Sequence, residues 1–128
     1  MSLKVEYRYF EEKNLIRMKP SGYIKTREDA KKMADQLEMI HTIPHRKFWL
    51  ISDITHLRMD SLSLLQYFAS LTRGLDRERL GTVFIITNTL QKTGIGLLSV
   101  FRKVNFYTAY DLESAMRIVD KLQTRGSQ

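Results

Sequence analysis

The sequence predicts an α/β fold: one domain with a mainly parallel mixed sheet and an antiparallel strand at its N-terminal edge. Three observations predict it. Two stretches rich in aromatic and branched residues, LKVEYRYF (3–10) and LIRMK (15–19), are separated only by EEKN, the spacing of a hairpin. Two later runs, KFWLISDI (47–54) and GTVFIIT (81–87), are apolar with little alternation, as in strands buried on both faces. Stretches of helical apolar spacing separate the later strands, and strand–helix–strand succession requires right-handed crossovers and parallel pairing.

The elements follow in order. After the hairpin, PSGY (20–23) breaks the second strand. Thr26 and Asp29 open a helix whose Ala30, Met33, Leu37 and Ile40 share one face, and Pro44 marks its end. Strand 47–54 leads to Asp60 and Ser61, which introduce a helix with an apolar stripe of Leu64, Leu65, Phe68 and Leu71, stopped by Gly74. Strand 81–87 leads through NTLQKTG to a helix carrying Leu97, Leu98, Phe101 and Val104. FYTAY (106–110) is a last short strand, and Asp111 caps a helix built on Leu112, Ala115, Met116, Val119 and Leu122. The predicted order is β-β-α-β-α-β-α-β-α over residues 3–123, with 124–128 as a tail.

The 128 residues suffice for one domain with a real core, and 43% hydrophobic with 27% charged residues is ordinary for a soluble protein. The chain has no cysteine, which excludes disulfides, thiol catalysis and Cys-ligated zinc. No apolar run is long enough for a membrane span or a secretory signal, so a cytoplasmic location is expected. The net charge is +7, but residues 1–64 carry 12 basic against 9 acidic side chains and residues 65–128 carry 9 against 5. Charge so dispersed reads as a mildly basic, solvated surface and argues against a nucleic-acid partner.

Ligands of open α/β sheets gather beyond the carboxyl ends of the strands. That rule collects Asp53, Thr55 and His56, then Asp60 and Ser61, then Thr87, Asn88 and Lys92, and finally Tyr110 and Asp111. Asp53, His56 and Ser61 are the residue types of an acyl-transfer triad, yet MDSLS lacks the glycines of a nucleophile elbow. A hydrolase is therefore the weakest of the readings. KTGIGLLS (92–99) offers glycines before a helix but completes neither a P-loop nor a dinucleotide fingerprint. Of His41, His45 and His56, the first two are split by Pro44, so the histidines are expected to face solvent and hold no metal. No cofactor is called for. The simplest role for Ser61 is a helix cap worth about 1 kcal/mol.

The run FWLISDITHLRMDSLSLL resembles the central segment of STAS domains, the family of anti-sigma-factor antagonists and related modules. There an apolar strand ends in aspartate and a short loop leads to a helix that begins at the tripeptide matched by Met59, Asp60 and Ser61. SGYIKTREDA resembles the family's glycine-containing turn into its first helix, and VNFYTAYDLESAM resembles its closing strand and last helix. The resemblance covers roughly residues 15–122 and implies a single non-enzymatic STAS-like domain. It implies regulation through a protein partner, a kinase or anti-sigma-like factor, at Asp53, Asp60, Ser61 and Ser63, with Ser61 as the phosphorylated hydroxyl. Leu62 and Ser63 stand where that motif continues with a small hydroxylic residue and glycine. FRKVNFYTAYDLESAM resembles equally the stand-alone SEC14-like relatives of this fold. They imply a lipid or small apolar ligand beneath the third helix, lined by Leu97, Leu98 and Phe101; the carboxyl-end rule adds Thr87, Asn88 and Lys92 as possible ligand-binding residues. The sequence also leaves room for a homo-oligomer.

Overall fold

The computed structural model describes residues 3–59, 61–88, 91, 94 and 106–126. Strand β1 (Lys4–Phe10) turns through a 3-10 turn at Glu11–Lys13 into β2 (Leu15–Ile24). Helix α1 (Arg27–His41), β3 (Phe48–Asp53), β4 (Leu57–Met59) and α2 (Leu62–Thr72) follow. A 3-10 stretch at Arg73–Glu78 leads to β5 (Arg79–Ile85), and β6 (Phe106–Ala109) and α3 (Leu112–Gly126) close the described chain. The described strands form one sheet in the order β1-β2-β3-β5-β6, with β4 beside the far end of β2. Only the β1–β2 pair is antiparallel, as the hairpin predicted. The predicted helix bearing Leu97, Leu98, Phe101 and Val104 lies outside the described residues.

The helix starts obey local chemistry. The Asp29 amide donates to Thr26 Oγ1 at 3.1 Å, and Asp29 Oδ2 accepts from the amides of Lys25 and Thr26 at 3.0 and 3.2 Å, a complete capping box. Those bonds, the Lys25 amide foremost, hold the Asp29 carboxyl below the usual carboxylate range. The Ser114 amide donates to Asp111 Oδ1 at 2.7 Å at the start of α3, with the same effect on Asp111.

Two readings change. β2 does not break at PSGY but runs to Ile24. Pro20 is tolerated because β3 pairs with Leu15–Met18 and β4 with Gly22–Ile24, and Pro20 falls in the gap between them, where no ladder bond to a parallel neighbour is lost. Gly22, at φ 122°, supplies the backbone conformation that carries the strand from one partner to the next. The unpredicted β4 exists because that extension offers it an edge. The stripe on α2 is also only partly inward: Leu64, Leu65 and Phe68 are half-buried and Leu71 is exposed, while Ala69 and Thr72 are buried. The helix packs along α1, with Tyr67 and Phe68 against the core shared with that helix.

Alternation along the strands divides the core. Ile16, Met18, Ile24, Phe48 and Leu50 meet Ala30, Met33, Leu37 and Ile40 of α1 on the front face. Leu15, Ile51, Val83, Ile85 and Ala109 meet Ala115 and Val119 of α3 on the back. Gly81 pairs with Trp49, and a Cβ there would lie 2.5 Å from the indole ring, so the close approach needs glycine.

The β1–β2 register sets Arg8 directly opposite Arg17. Like charges so placed repel across the pair. Arg17→Glu is expected to raise the stability of the protein by roughly 0.2–1 kcal/mol, seen as a higher urea midpoint at unchanged slope.

Candidate functional site

Parallel pairing sets the carboxyl ends of the central strands side by side. Asp53 is in register with Ile85, and Ile85 with Ala109. Beyond them the loops are tied together: the Ile54 amide donates to the Ile85 carbonyl at 3.1 Å and the Ile86 amide to the Ala109 carbonyl at 2.9 Å. β4 brings the approach to Ser61 to the same end, since Met59 pairs with Ile24. The structure thus gathers Asp53, Ser61, Thr87 and Asp111 on one rim.

Each of these groups has a local task. Asp53 Oδ1 accepts from the Thr55 hydroxyl at 2.6 Å and from its amide at 3.0 Å, and Thr55 Oγ1 lies 3.0 Å from His56 Nδ1. Ser61, half-buried, is the N-cap of α2, and its Oγ accepts from the Leu64 amide at 3.3 Å. The hydrogen bonds of the described residues therefore run Asp53–Thr55–His56 and Ser61–Leu64, with no link from His56 to Ser61. That is not the geometry of an acyl-transfer triad. Ser63 and Leu62 are exposed beside the cap.

Thr87 and Asn88 are occupied in the same way. Gln91 Oε1 accepts from the Thr87 amide at 2.8 Å, Asn88 Oδ1 accepts from the Gln91 amide at 2.8 Å, and Gln91 Nε2 donates to the Ile54 carbonyl at 3.0 Å. Gln91 therefore locks the loop after β5 to the loop after β3. The signal for it was the N-x-x-Q spacing of Asn88 and Gln91, the pattern of a capping box. Asp60, Lys92, Leu97, Leu98 and Phe101 lie outside the described residues.

A cavity of about 660 Å³ opens at the opposite end of the sheet, between the C-terminal half of α1 and the segment after α2, with Ala34, Glu38, Pro44, Leu71 and Glu78 in its walls. His41 stands in the same wall, and it corrects the expectation of solvent-facing histidines: it is 4% exposed. Its position continues the Ala30, Ala34, Leu37 spacing of the buried face of α1. Arg79 Nε donates to His41 Nε2 at 2.9 Å, so the ring proton resides on Nδ1, 2.6 Å from the Leu37 carbonyl. The ring also meets Phe48 edge-on at 5.3 Å. Arg79 in turn pairs with Asp76 at 3.6 Å and donates to Thr82 Oγ1 at 3.3 Å. Both imidazole nitrogens are spent, so His41 fastens α1 to β5 and is not a ligand. Among the described residues no three histidine or acidic side chains group as a metal site would need, and no described helix is long and apolar enough to cross a membrane.

With this architecture in view, comparison with solved structures is decisive for the fold. An uncharacterized protein of the DUF3478 family from Shewanella loihica PV-4, with a SpoIIAA-like fold, superposes with a TM-score of 0.67 at 20% identity, over 91% of this chain and 93% of that one. The fold is STAS-like. An anti-sigma factor antagonist from Mycobacterium paratuberculosis superposes with a TM-score of 0.64 at 15% identity, covering 93% of this chain and 95% of that one. No protein-family model matches the sequence, and no curated protein matches it significantly. The STAS-like fold is thus shared at the level of architecture, as the resemblance implied.

Two outcomes follow. Ser61→Ala removes the side-chain cap of α2 and is expected to cost about 1 kcal/mol of stability in urea titration, with Ser61→Asp restoring most of it. Burial first, then the neighbouring Arg79 charge, push the His41 pKa down to about 4, against the upward pull of the Leu37 carbonyl. The unfolded chain takes up this proton near the ordinary value of 6.5, so the unfolded state binds more protons between the two. The contribution of His41 is complete above that window and is lost as pH falls through it, roughly 3 kcal/mol in all. Urea midpoints from pH 7 to 4 are expected to fall steeply, and His41→Gln is expected to flatten the slope.

Proposed function

We propose that the protein is a non-enzymatic regulatory domain that works by binding a protein partner at the start of α2, with Ser61 as the regulated hydroxyl. The observation that carries this reading is the exposure of apolar surface on that helix. Leu62, directly after the cap, is 55% exposed, on an element whose half-buried Tyr67 and Phe68 anchor it to the core. An open apolar side chain beside a cap hydroxyl provides contact area and a control point together. The shared architecture with an anti-sigma factor antagonist supports the same reading. So does the local use of Asp53 and His56: among the described residues neither is hydrogen-bonded to Ser61.

A phosphoryl group on Ser61 would bring about −1.5 to −2 charges to the helix start and displace the hydroxyl cap. Beside Leu62 that charge would penalise an apolar contact by desolvation. Modification would then switch the surface while the core stays intact.

The experiment is phosphopeptide mapping of the protein purified from its native cells, paired with affinity capture by Ser61→Ala and Ser61→Glu. A phosphoryl group on Ser61 is expected in the tryptic peptide 59–73, with a partner retained by Ser61→Ala and lost by Ser61→Glu. Absence of Ser61 phosphorylation, together with identical partners for both variants, would contradict the switch. A lipid carried by the purified protein, seen in native mass spectrometry, would favour instead an apolar-ligand binder of the same fold.

A further inference from the structure

The sheet is covered unequally. On the front face α1 packs against both β1 and β2. On the back face α3 packs against β3, β5 and β6, and the side chains of β1 and β2 that point that way stand clear of it beyond Leu15 and Phe10. Alternation decides which residues these are. Along β2, Met18, Pro20, Gly22 and Ile24 are buried on the front, while Arg17 is exposed and Lys19, Ser21 and Tyr23 are half-buried on the back. The register places Lys4 opposite Ser21, Glu6 opposite Lys19 and Arg8 opposite Arg17, all on that same bare face.

The result is a dense field of positive charge. Lys4, Arg8, Arg17 and Lys19 share two strands with a single carboxylate, Glu6, which lies 3.4 Å from Lys4. Among the described residues no carboxylate pairs with Arg8, Arg17 or Lys19. At the end of the stripe, Lys25 Nζ and Arg58 Cζ lie over the Tyr23 ring at 4.9 and 4.5 Å. At the other end Arg8 covers the ring of Phe10 at 4.8 Å. From Arg17 to Tyr23 the stripe runs ~20 Å at the rise of a strand. Arg8 facing Arg17 without a counterion is unfavourable for folding alone. An arrangement that opposes stability is accounted for if something anionic lies across it.

We propose that the bare back face of β1 and β2 is a docking surface for an acidic, Asp/Glu-rich segment of a protein partner. The chemistry selects that occupant. The aromatic rings on this face already carry cations, so they offer no free platform on which nucleic-acid bases could stack. The face belongs to the edge of a wider sheet, where β2 is flanked by β3 and β4, and presents no helix to enter a duplex groove. It also lacks the exposed apolar side chains that would insert among lipid chains. What remains is a row of guanidinium and ammonium groups on a rigid sheet, matched by carboxylates in an extended chain. The surface is distinct from the Ser61 helix and the proposal does not depend on Ser61.

The test is fluorescence anisotropy with a labelled oligoglutamate peptide on the full chain. Saturable binding is expected at low salt, weakening about tenfold or more on raising the salt to several hundred millimolar. Arg17→Glu/Lys19→Gln, which puts no like charge opposite Glu6, is expected to abolish it, while the charge-matched control Lys31→Glu/Lys121→Gln, on α1 and α3, retains most of it. The first variant relieves the Arg8 repulsion, so an undiminished melting temperature separates lost binding from lost folding. Equal binding by both variants would overturn the proposal. So would preference for an oligothymidylate strand or phosphatidylglycerol vesicles over oligoglutamate, with the same dependence on Arg17 and Lys19.

Discussion

The parallel pairing of β3 with β2 on one side and β5 on the other is the constraint from which the rest of the molecule follows. Phe48 and Leu50 enter the front core and Ile51 the back, all without measurable exposure. A strand buried on both faces cannot slip by one residue without exchanging the two faces. Its register therefore dictates where each neighbouring strand ends, and so where each loop begins. Asp53 lies level with Ile85, and Ile85 with Ala109, because β3 admits no other alignment.

That alignment produces regions of different chemistry. At the carboxyl ends, short polar side chains satisfy orphan backbone groups, and Gln91 binds two loops into one rim. At the amino ends, His41, Arg79, Asp76 and Thr82 form a largely buried polar chain joining α1 to β5. Such a chain is sensitive to protonation, because a charged imidazole would lose the Arg79 bond and face a second cation. The back of β1 and β2 has neither task, and there the cations collect. Among the described residues, Asp53, Ser61, Thr87 and Asn88 at the rim are engaged in local hydrogen bonds that hold the fold.

What the sequence disclosed and what it hid divide along the range of the interactions. Thr26 with Asp29, Ser61 and Asp111 were legible as caps because a cap involves residues three apart. The two-faced strands were legible because burial on both sides leaves an unbroken apolar run. β2 beyond Lys19 was hidden, since Pro20 and Gly22 signal a turn unless one knows that two different strands flank them. β4 was hidden with it. The basic face was hidden for the same reason: Lys4, Arg8, Arg17, Lys19, Lys25 and Arg58 are scattered along the chain and meet only through the hairpin register and the β2–β4 pair. His41 could have been found from the spacing of α1, but its partner Arg79 is 38 residues away and no local pattern announces it.

The absence of cysteine makes one direct measurement clean. A nitroxide attached at Asn88→Cys, on the loop after β5, should broaden the amide resonances of residues 54–56, 61–63 and 110–112 by paramagnetic relaxation. Residues 45–47 and 77–79, at the amino ends of β3 and β5, should keep their intensities. Broadening at the amino ends, with the loops after β3 and β6 untouched, would contradict the alignment of β3 and the common rim derived from it.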